Sequence, residues 1–162
     1  MAVRYTRGVG EGGAVNTQIR TVLEAKGSHV ETIGPDATVA DAVRRMNEAR
    51  IGALLVVDEQ GGRQRPAGIF TERDVLTRVV AAGRDPAATS VREVMSTPLV
   101  VIRPETTVQE AMMVVTEKRC RHLPVMRGDD LVGLVSIGDL TRALLREQQA
   151  KIDDLVTYIT WG

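Results

Sequence analysis

PDATVADAVRRMNEARIGALLVV, residues 35–57, returns as PETTVQEAMMVVTEKRCRHLPVM at residues 104–126. The offset is 69 residues (35 to 104), and it repeats specific positions: Pro35/Pro104, Thr38/Thr107, Val39/Val108, Ala42/Ala111, Glu48/Glu117, Arg50/Arg119, Leu54/Leu123 and Val56/Val125. After a longer glycine-rich turn in the first copy, Gln60 to Arg65, the register resumes at an offset of 65 (68 to 133). The pairs there are Gly68/Gly133, Ile69/Leu134, Thr71/Ser136 and Asp74/Asp139. Two copies fall short of the roughly three stacked units that a solenoid needs, which points to a closed pair. A copy of about 60 residues is marginal as a core of its own, so burying the apolar face of one against the other is the expected solution.

Within each copy the pattern predicts strand, helix, strand, strand, helix. Val30 to Ile33 is strand-like, Pro35 and Asp36 turn the chain, and Val39, Ala42, Val43, Met46 and Ala49 form one face of a helix. Thr38 is its natural N-cap with Asp41 three residues on; the second copy has Val108, Ala111, Met112 and Val115 on the face and Thr107 with Glu110 as a capping box. Ala53–Val57 with Ala67–Phe70, and Leu123–Met126 with Leu131–Val135, read as aliphatic strand pairs joined by polar and glycine turns. Helices follow at Asp74 to Ala82 and at Asp139 to about Gln149. A short helix near Gln18 to Lys26, ended by Gly27, precedes the first copy. Past Gln149, Ile152, Leu155, Val156 and Ile159 continue at helical spacing, as a helix that either caps the core or faces a partner.

Composition narrows the function. The chain has 162 residues and is 43% hydrophobic, enough for a folded core. Twenty-one Lys and Arg balance 21 Asp and Glu, so no positive field calls for nucleic acid or an anionic membrane. Only Tyr5, Phe70, Tyr158 and Trp161 are aromatic, which leaves the core aliphatic and removes the stacking platforms of single-strand binders. One cysteine, Cys120, excludes an internal disulfide framework and fits a reducing compartment. The N-terminal segment lacks the apolar stretch of a signal peptide and no run reaches the ~20 apolar residues of a membrane span, so the cytoplasm is the expected location. Residues 1–17, rich in glycine, read as a mobile tail; their Gly-Val-Gly-Glu-Gly-Gly run has neither the preceding strand nor the following helix of a dinucleotide fingerprint.

The chemistry-bearing feature is the end of the last strand of each copy, Gly68-Ile-Phe-Thr71-Glu-Arg-Asp74 and Gly133-Leu-Val-Ser136-Ile-Gly-Asp139. A hydroxyl leaves the strand and a carboxylate stands three residues on, in the first helical turn. The hydroxyl and the unpaired amides of a helix start can receive a phosphate, and the carboxylate can accept bonds from both hydroxyls of a ribose. The same Thr/Ser-x-x-Asp spacing is also a capping box that needs no ligand.

The whole repeat resembles the cystathionine β-synthase (CBS) domain, and the chain is similar to a stand-alone tandem CBS pair. The resemblance rests on Val-x-Thr-Ile-x-Pro-Asp-x-Thr-Val (Val30 to Val39), Arg50-Ile-Gly-Ala-Leu-Leu-Val56 and Gly68 to Asp74. In the second copy it rests on Met95-Ser-Thr-Pro98, Arg119-Cys-Arg-His-Leu-Pro-Val125 and Gly133 to Asp139. It covers roughly Lys26 to Gln149. It implies an α+β fold of two β-α-β-β-α repeats packed with pseudo-twofold symmetry into one globular module, with two clefts for adenine nucleotides or related adenosyl ligands. On the family pattern one cleft would use Ser136 and Asp139 with Ser28, Val30, Ile33 and Gly52, the other Thr71 and Asp74 with Thr97, Leu99, Ile102 and Arg121. Apolar residues would sandwich the base. Basic residues at the positions of Arg121 and His122 approach phosphates in related nucleotide-sensing subunits.

The clefts are not expected to be equivalent. Arg73 stands beside the first carboxylate, where a guanidinium suits phosphate, but Gly138 matches it in the second copy; Arg121 and His122 stand where the first copy has Gly52 and Ala53. Arg73 reads equally as a surface arginine, and His122 as a histidine satisfied by backbone. Cys120 between Arg119 and Arg121 is either a thiol of lowered pKa or a buried strand-end cysteine. His29, His122 and Cys120 lack metal-ligand spacing, and no nucleophile-base set or P-loop is present, which argues against an enzyme. The expected organisation is a tail (1–17), a first repeat (18–90), a second repeat (91–149) and a helical extension (150–162). The expected function is regulatory binding of AMP, ADP, ATP or NAD, signalled to a protein partner by a homodimer. The alternative is a structural or interaction dimer whose clefts no longer work.

Overall fold

The computed structural model describes residues 4–5, 17–60 and 63–161. The elements run β1 (Arg4–Tyr5), α1 (Ile19–Lys26), β2 (Thr32–Ile33), α2 (Val39–Ala49), β3 (Ala53–Gln60), β4 (Arg63–Thr71) and α3 (Glu72–Asp74), which continues as a π-helical stretch, Val75–Val80. They go on as α4 (Val91–Val94), β5 (Val100–Val101), α5 (Val108–Lys118), β6 (His122–Arg127), β7 (Asp130–Ser136) and α6 (Ile137–Trp161). From β2 and again from β5 the order is strand, helix, strand, strand, helix, the α+β repeat the sequence predicts. Apart from Arg4–Tyr5, which form a strand, the expected N-terminal tail lies outside the described residues as far as position 16.

The caps explain where the helices begin. Thr38 accepts a bond from the Asp41 amide at 3.1 Å, and Thr107 accepts from Glu110 at 3.2 Å while the Glu110 carboxylate takes the Thr107 amide at 2.8 Å. Both helices end on an arginine in the left-handed region, Arg50 at φ 53° and Arg119 at φ 52°. The last helix of each copy starts two residues before the aspartate, at Glu72 and Ile137, because Thr71 and Ser136 are themselves the caps. Beyond Val75 the first of these widens, with the Ala81 amide reaching back five residues to the Leu76 carbonyl at 3.0 Å. The second does not stop near Gln149: it is one helix to Trp161, so the expected extension is continuous with the repeat. Four residues long and without a visible periodicity, α4 is an element that the hydrophobic pattern does not predict, and it opens on a Ser90/Glu93 capping box.

The chain forms two compact units, and neither coincides with an expected repeat. One holds Arg4 and His29–Val100; the described part of the other is Tyr5 with residues 17–28 and 101–161. In the first, β2 lies parallel to β3 with Ile33 beside Val56, and β3 is antiparallel to β4 with a bulge at Val56/Val57. Ile33, Val39, Met46, Leu54, Val56, Phe70 and Val79 make its core together with Val91 and Val94 of α4. The α4 amides of Val91 and Arg92 donate to the carbonyls of Ala37 and Pro35 at 2.9 and 2.8 Å, and Ser96 then exchanges bonds of 2.8 and 3.1 Å with Ile69 along the outer edge of β4.

The second unit repeats this plan. β6 and β7 pair with a bulge at Val125/Met126, and Ile102 lies parallel beside Val125. Ile19 and Arg20 of α1 donate to Thr106 and Pro104 at 2.8 and 2.9 Å, the counterparts of Ala37 and Pro35. Ile19, Val22 and Leu23 of α1 are buried, as are Val108, Ala111, Leu123, Val125, Val135 and Leu140 in the rest of the unit. The helix that leads into each copy along the chain therefore packs on the other copy. This exchange accounts for the duplicated glycine of the last strand: a Cβ at position 133 would stand 2.6 Å from Leu23 Cδ2, and one at position 68 would stand 2.6 Å from Met95 Sδ.

Candidate functional site

Each unit carries one strand-to-helix corner. In the first, Asp74 Oδ2 accepts from the Thr71 amide and hydroxyl, both at 2.9 Å, and Thr71 Oγ1 accepts from the Asp74 amide at 3.3 Å. In the second, Asp139 Oδ2 accepts from the Ser136 amide at 2.8 Å and hydroxyl at 3.0 Å, and Ser136 Oγ accepts from the Asp139 amide at 3.2 Å. The first helical amide is engaged as well: Glu72 N–H donates to the Gly52 carbonyl at 3.1 Å and Ile137 N–H to the Arg121 carbonyl at 2.9 Å. Three amides at each corner are thus spent within the chain, and the donor supply for a phosphate is smaller than a bare helix start suggests.

The carboxylates themselves differ. Asp74 Oδ1 accepts from the Ser96 hydroxyl at 2.8 Å, with the Arg78 guanidinium at 3.6 Å. Asp139 instead faces two cations: Lys26 Nζ on Oδ2 at 2.7 Å and Arg142 on Oδ1 at 2.9 Å. Lys26 Nζ also donates to the Leu134 carbonyl at 2.8 Å, so the end of α1 is tied to both β7 and α6. Burial pushes the Asp139 carboxyl up, but the Lys26 bond, the Ser136 amide, the Lys26 charge and the Ser136 hydroxyl outweigh it and hold its pKa at about 2. Beside this pair a groove of about 430 Å³ runs between α1 and α6, with Thr21, Ala25, Lys26, Asp139, Arg142 and Arg146 on its walls.

The expected site residues fall into two sets. In the first unit Gly52 abuts Glu72, Thr71 is half-buried, Asp74 is buried and Arg73 is exposed without an ion pair among the described residues. Thr97 follows directly on Ser96, the residue that touches Asp74; Val30 is half-buried, and Ile33 and Leu99 are buried. In the second unit His122 lies opposite Ser136 in the β6–β7 register, with Arg121 exposed beside it. Ser28 is exposed two residues after Lys26, and Ile102 is buried. Within a unit, therefore, Gly52 accompanies the Thr71 corner and Arg121 and His122 accompany the Ser136 corner. Lys26, Ser96, Arg78 and Arg142 were missed. At the repeat offset Gly27 matches Ser96 and Lys26 matches Met95, so a comparison of the two lead-in segments would have flagged that they differ.

Cys120 is half-buried, and burial pushes its thiol up against smaller opposing effects of a backbone bond and Lys118, so the lowered-pKa alternative is not what this site provides. Among the described residues no three His, Cys, Asp or Glu side chains gather as a metal site, and no helix is long and apolar enough to cross a membrane.

Comparison with known proteins follows the same lines. The CBS domain family matches residues 26–81 and again 91–146. The CBS domain-containing protein CBSX3, mitochondrial, of Arabidopsis thaliana is 38% identical over 158 residues, 94% of this chain and 76% of its own. A solved protein with CBS domains from Burkholderia ambifaria, with an assumed role in signal transduction, is 40% identical; the match covers 82% of this chain and 96% of that one, with a TM-score of 0.76. The hexameric CBS-CP12 protein of bloom-forming cyanobacteria is 34% identical over 79% of this chain and 68% of its own, with a TM-score of 0.69. With two matched segments and two units built on one plan, the chain belongs to the CBS domain family and carries two CBS domains in tandem.

Proposed function

We propose that the chain is a regulatory module that binds an adenine nucleotide, AMP, ADP, ATP or NAD, and passes its occupancy to a protein partner. The observation that carries this reading is the duplicated corner: a carboxylate held by a hydroxyl and an amide at the head of the last helix of each CBS domain. On the family pattern the ribose goes to Asp74 in one cleft, with Thr71, Thr97, Leu99, Ile102 and Arg121. In the other it goes to Asp139, with Ser136, Ser28, Val30, Ile33 and Gly52. Arg73, exposed and without an ion pair among the described residues, and Arg121 with His122 are the phosphate contacts in this reading. The assembly is proposed to be a homodimer acting in the cytoplasm, with no catalytic step: the corner carboxylates are committed to hydrogen bonds rather than poised as an acid/base pair. Ligand can signal only if its affinity differs between two arrangements of the module.

One observation favours a second reading, in which the corners are helix caps alone: every polar atom of both carboxylates already has a partner within the chain. A thermal-shift series with AMP, ADP, ATP, NAD, NADH and S-adenosylmethionine separates the two. A ligand at ~100 times its dissociation constant stabilises by ~2.7 kcal/mol, which raises the melting temperature by several degrees at this size. Asp74→Ala and Asp139→Ala should each remove one binding event and leave the fold intact. Unchanged affinity in both variants rules out the ribose role, and unfolding of both supports the caps. Light scattering tests the dimer.

A further inference from the structure

We infer that Lys26 makes the Asp139 corner selective for anionic adenosyl ligands, with the groove between α1 and α6 as the subsite that receives the anion. The inference rests on the adenosyl reading above and adds a selection rule to one of its two sites. A carboxylate offers about four lone-pair positions. At Asp139 three donors crowd Oδ2, the Ser136 amide, the Ser136 hydroxyl and the Lys26 ammonium, and the Arg142 guanidinium takes one of the two positions on Oδ1. At Asp74 only three donors lie within hydrogen-bond distance, and the one from outside the corner is the neutral Ser96 hydroxyl.

A ribose diol needs two acceptor positions, and at Asp74 it finds one spare on Oδ1 and gains the second by displacing a neutral hydroxyl. At Asp139 one position on Oδ1 is spare as well, but the second comes only by displacing Lys26 or Arg142, because the Ser136 donors are part of the helix cap. A neutral ligand leaves the displaced cation without its counter-charge. An anionic ligand replaces that charge, and the groove supplies the place. Its wall holds Lys26, Arg142 and Arg146, and the Arg146 side chain has no ion pair or hydrogen bond among the described residues. Of the two carboxylates in the wall, Asp139 turns to the ribose hydroxyls, and Glu147 is bonded by the Thr17 hydroxyl at 2.8 Å with the Lys151 ammonium at 4.0 Å as its counter-charge. Lys26 is suited to the exchange: it is the last residue of α1, its side chain is one-third exposed, and its stem is flexible. The ammonium then moves from carboxylate to phosphate while the ribose takes the vacated oxygen.

Titration calorimetry of the full chain with adenosine, AMP and ATP tests this, following the binding event that Asp139→Asn removes. In the unmodified protein that event should favour AMP over adenosine by about tenfold or more, the factor that ~1.4 kcal/mol provides. Lys26→Met should strengthen adenosine and weaken AMP so that the preference collapses, and Lys26→Arg should restore it. Arg146→Ala, at an exposed residue with no structural partner, should weaken AMP and leave adenosine unchanged. If Lys26→Met and Arg146→Ala both bind with the original AMP-to-adenosine ratio, the inference is wrong and the adenosyl site stands. If the unmodified protein binds neither compound, the adenosyl reading itself fails and takes the inference with it.

Discussion

Gly133→Ala is the sharpest probe of how α1 is held. The added Cβ would lie 2.6 and 2.8 Å from the two methyl carbons of Leu23 and 3.3 Å from its Cγ. Both methyls and Cγ face the new atom, so relief requires another staggered rotamer of Leu23 or a shift of α1 away from β7. Position 133 is not in the left-handed region, so alanine adds no backbone strain there, and the cost is overpacking, about 1–3 kcal/mol. Leu23→Ala alone removes a side chain that is 8% exposed and should cost about 2–4 kcal/mol. Together the two should cost less than their sum by at least ~1 kcal/mol, because the new methyl group fills part of the space that leucine leaves. Urea unfolding of the four proteins, with the slopes compared to verify that the unfolding reaction is unchanged, measures the coupling. Additivity within ~0.5 kcal/mol would refute the claim that the glycine exists to let α1 approach the strand.

Replacing Arg50 or Arg119 by glycine should raise stability by about 0.5–1 kcal/mol each, since both hold a left-handed conformation that costs an L-residue more than glycine's added chain entropy; a lower melting temperature by calorimetry would mean that the arginine side chains hold something. Thr107→Ala should cost about 1 kcal/mol and Thr107→Ser much less, because only the hydroxyl serves the Glu110 amide at 3.2 Å; equal losses would assign the effect to the methyl group. For Asp139 the folded pKa, about 2, lies below the ordinary 3.8, so its contribution is fully present above that value and is lost as pH falls toward 2. The stability gap between the unmodified protein and Asp139→Asn should accordingly be constant from pH 7 to about 5 and shrink below pH 4; a gap that stays constant down to pH 2 would contradict the Lys26–Asp139 pairing.

The duplication was legible because it is written in identities at a fixed offset, and the caps were legible because Thr38, Thr107, Thr71 and Ser136 each stand three residues before their carboxylate partner. The aliphatic runs around Leu54 and Leu123 gave the hairpins, although β3 and β4 extend further through polar residues that no hydrophobic pattern marks. What escaped was whatever depends on partners distant in sequence. Lys26 reads as an ordinary last-turn cation until α1 is seen to lie along α6, 113 residues away. Ser96 reads as loop until it pairs with Ile69 and reaches Asp74, and the four-residue α4 is too short to show a periodicity. The widening at Val75–Val80 has no sequence signal that we can identify.

The exchange of lead helices bears on how such a gene can be cut, duplicated or fused. A break placed at the natural-looking boundary between the copies would send each half away with the wrong helix: residues 18–90 would keep Ile19, Val22 and Leu23 with nothing to bury them and would lose Val91 and Val94 from their own core. Selection on folding therefore acts on the whole tandem, and recombination that shuffles single copies should yield insoluble products unless the incoming copy brings a helix that suits its new neighbour.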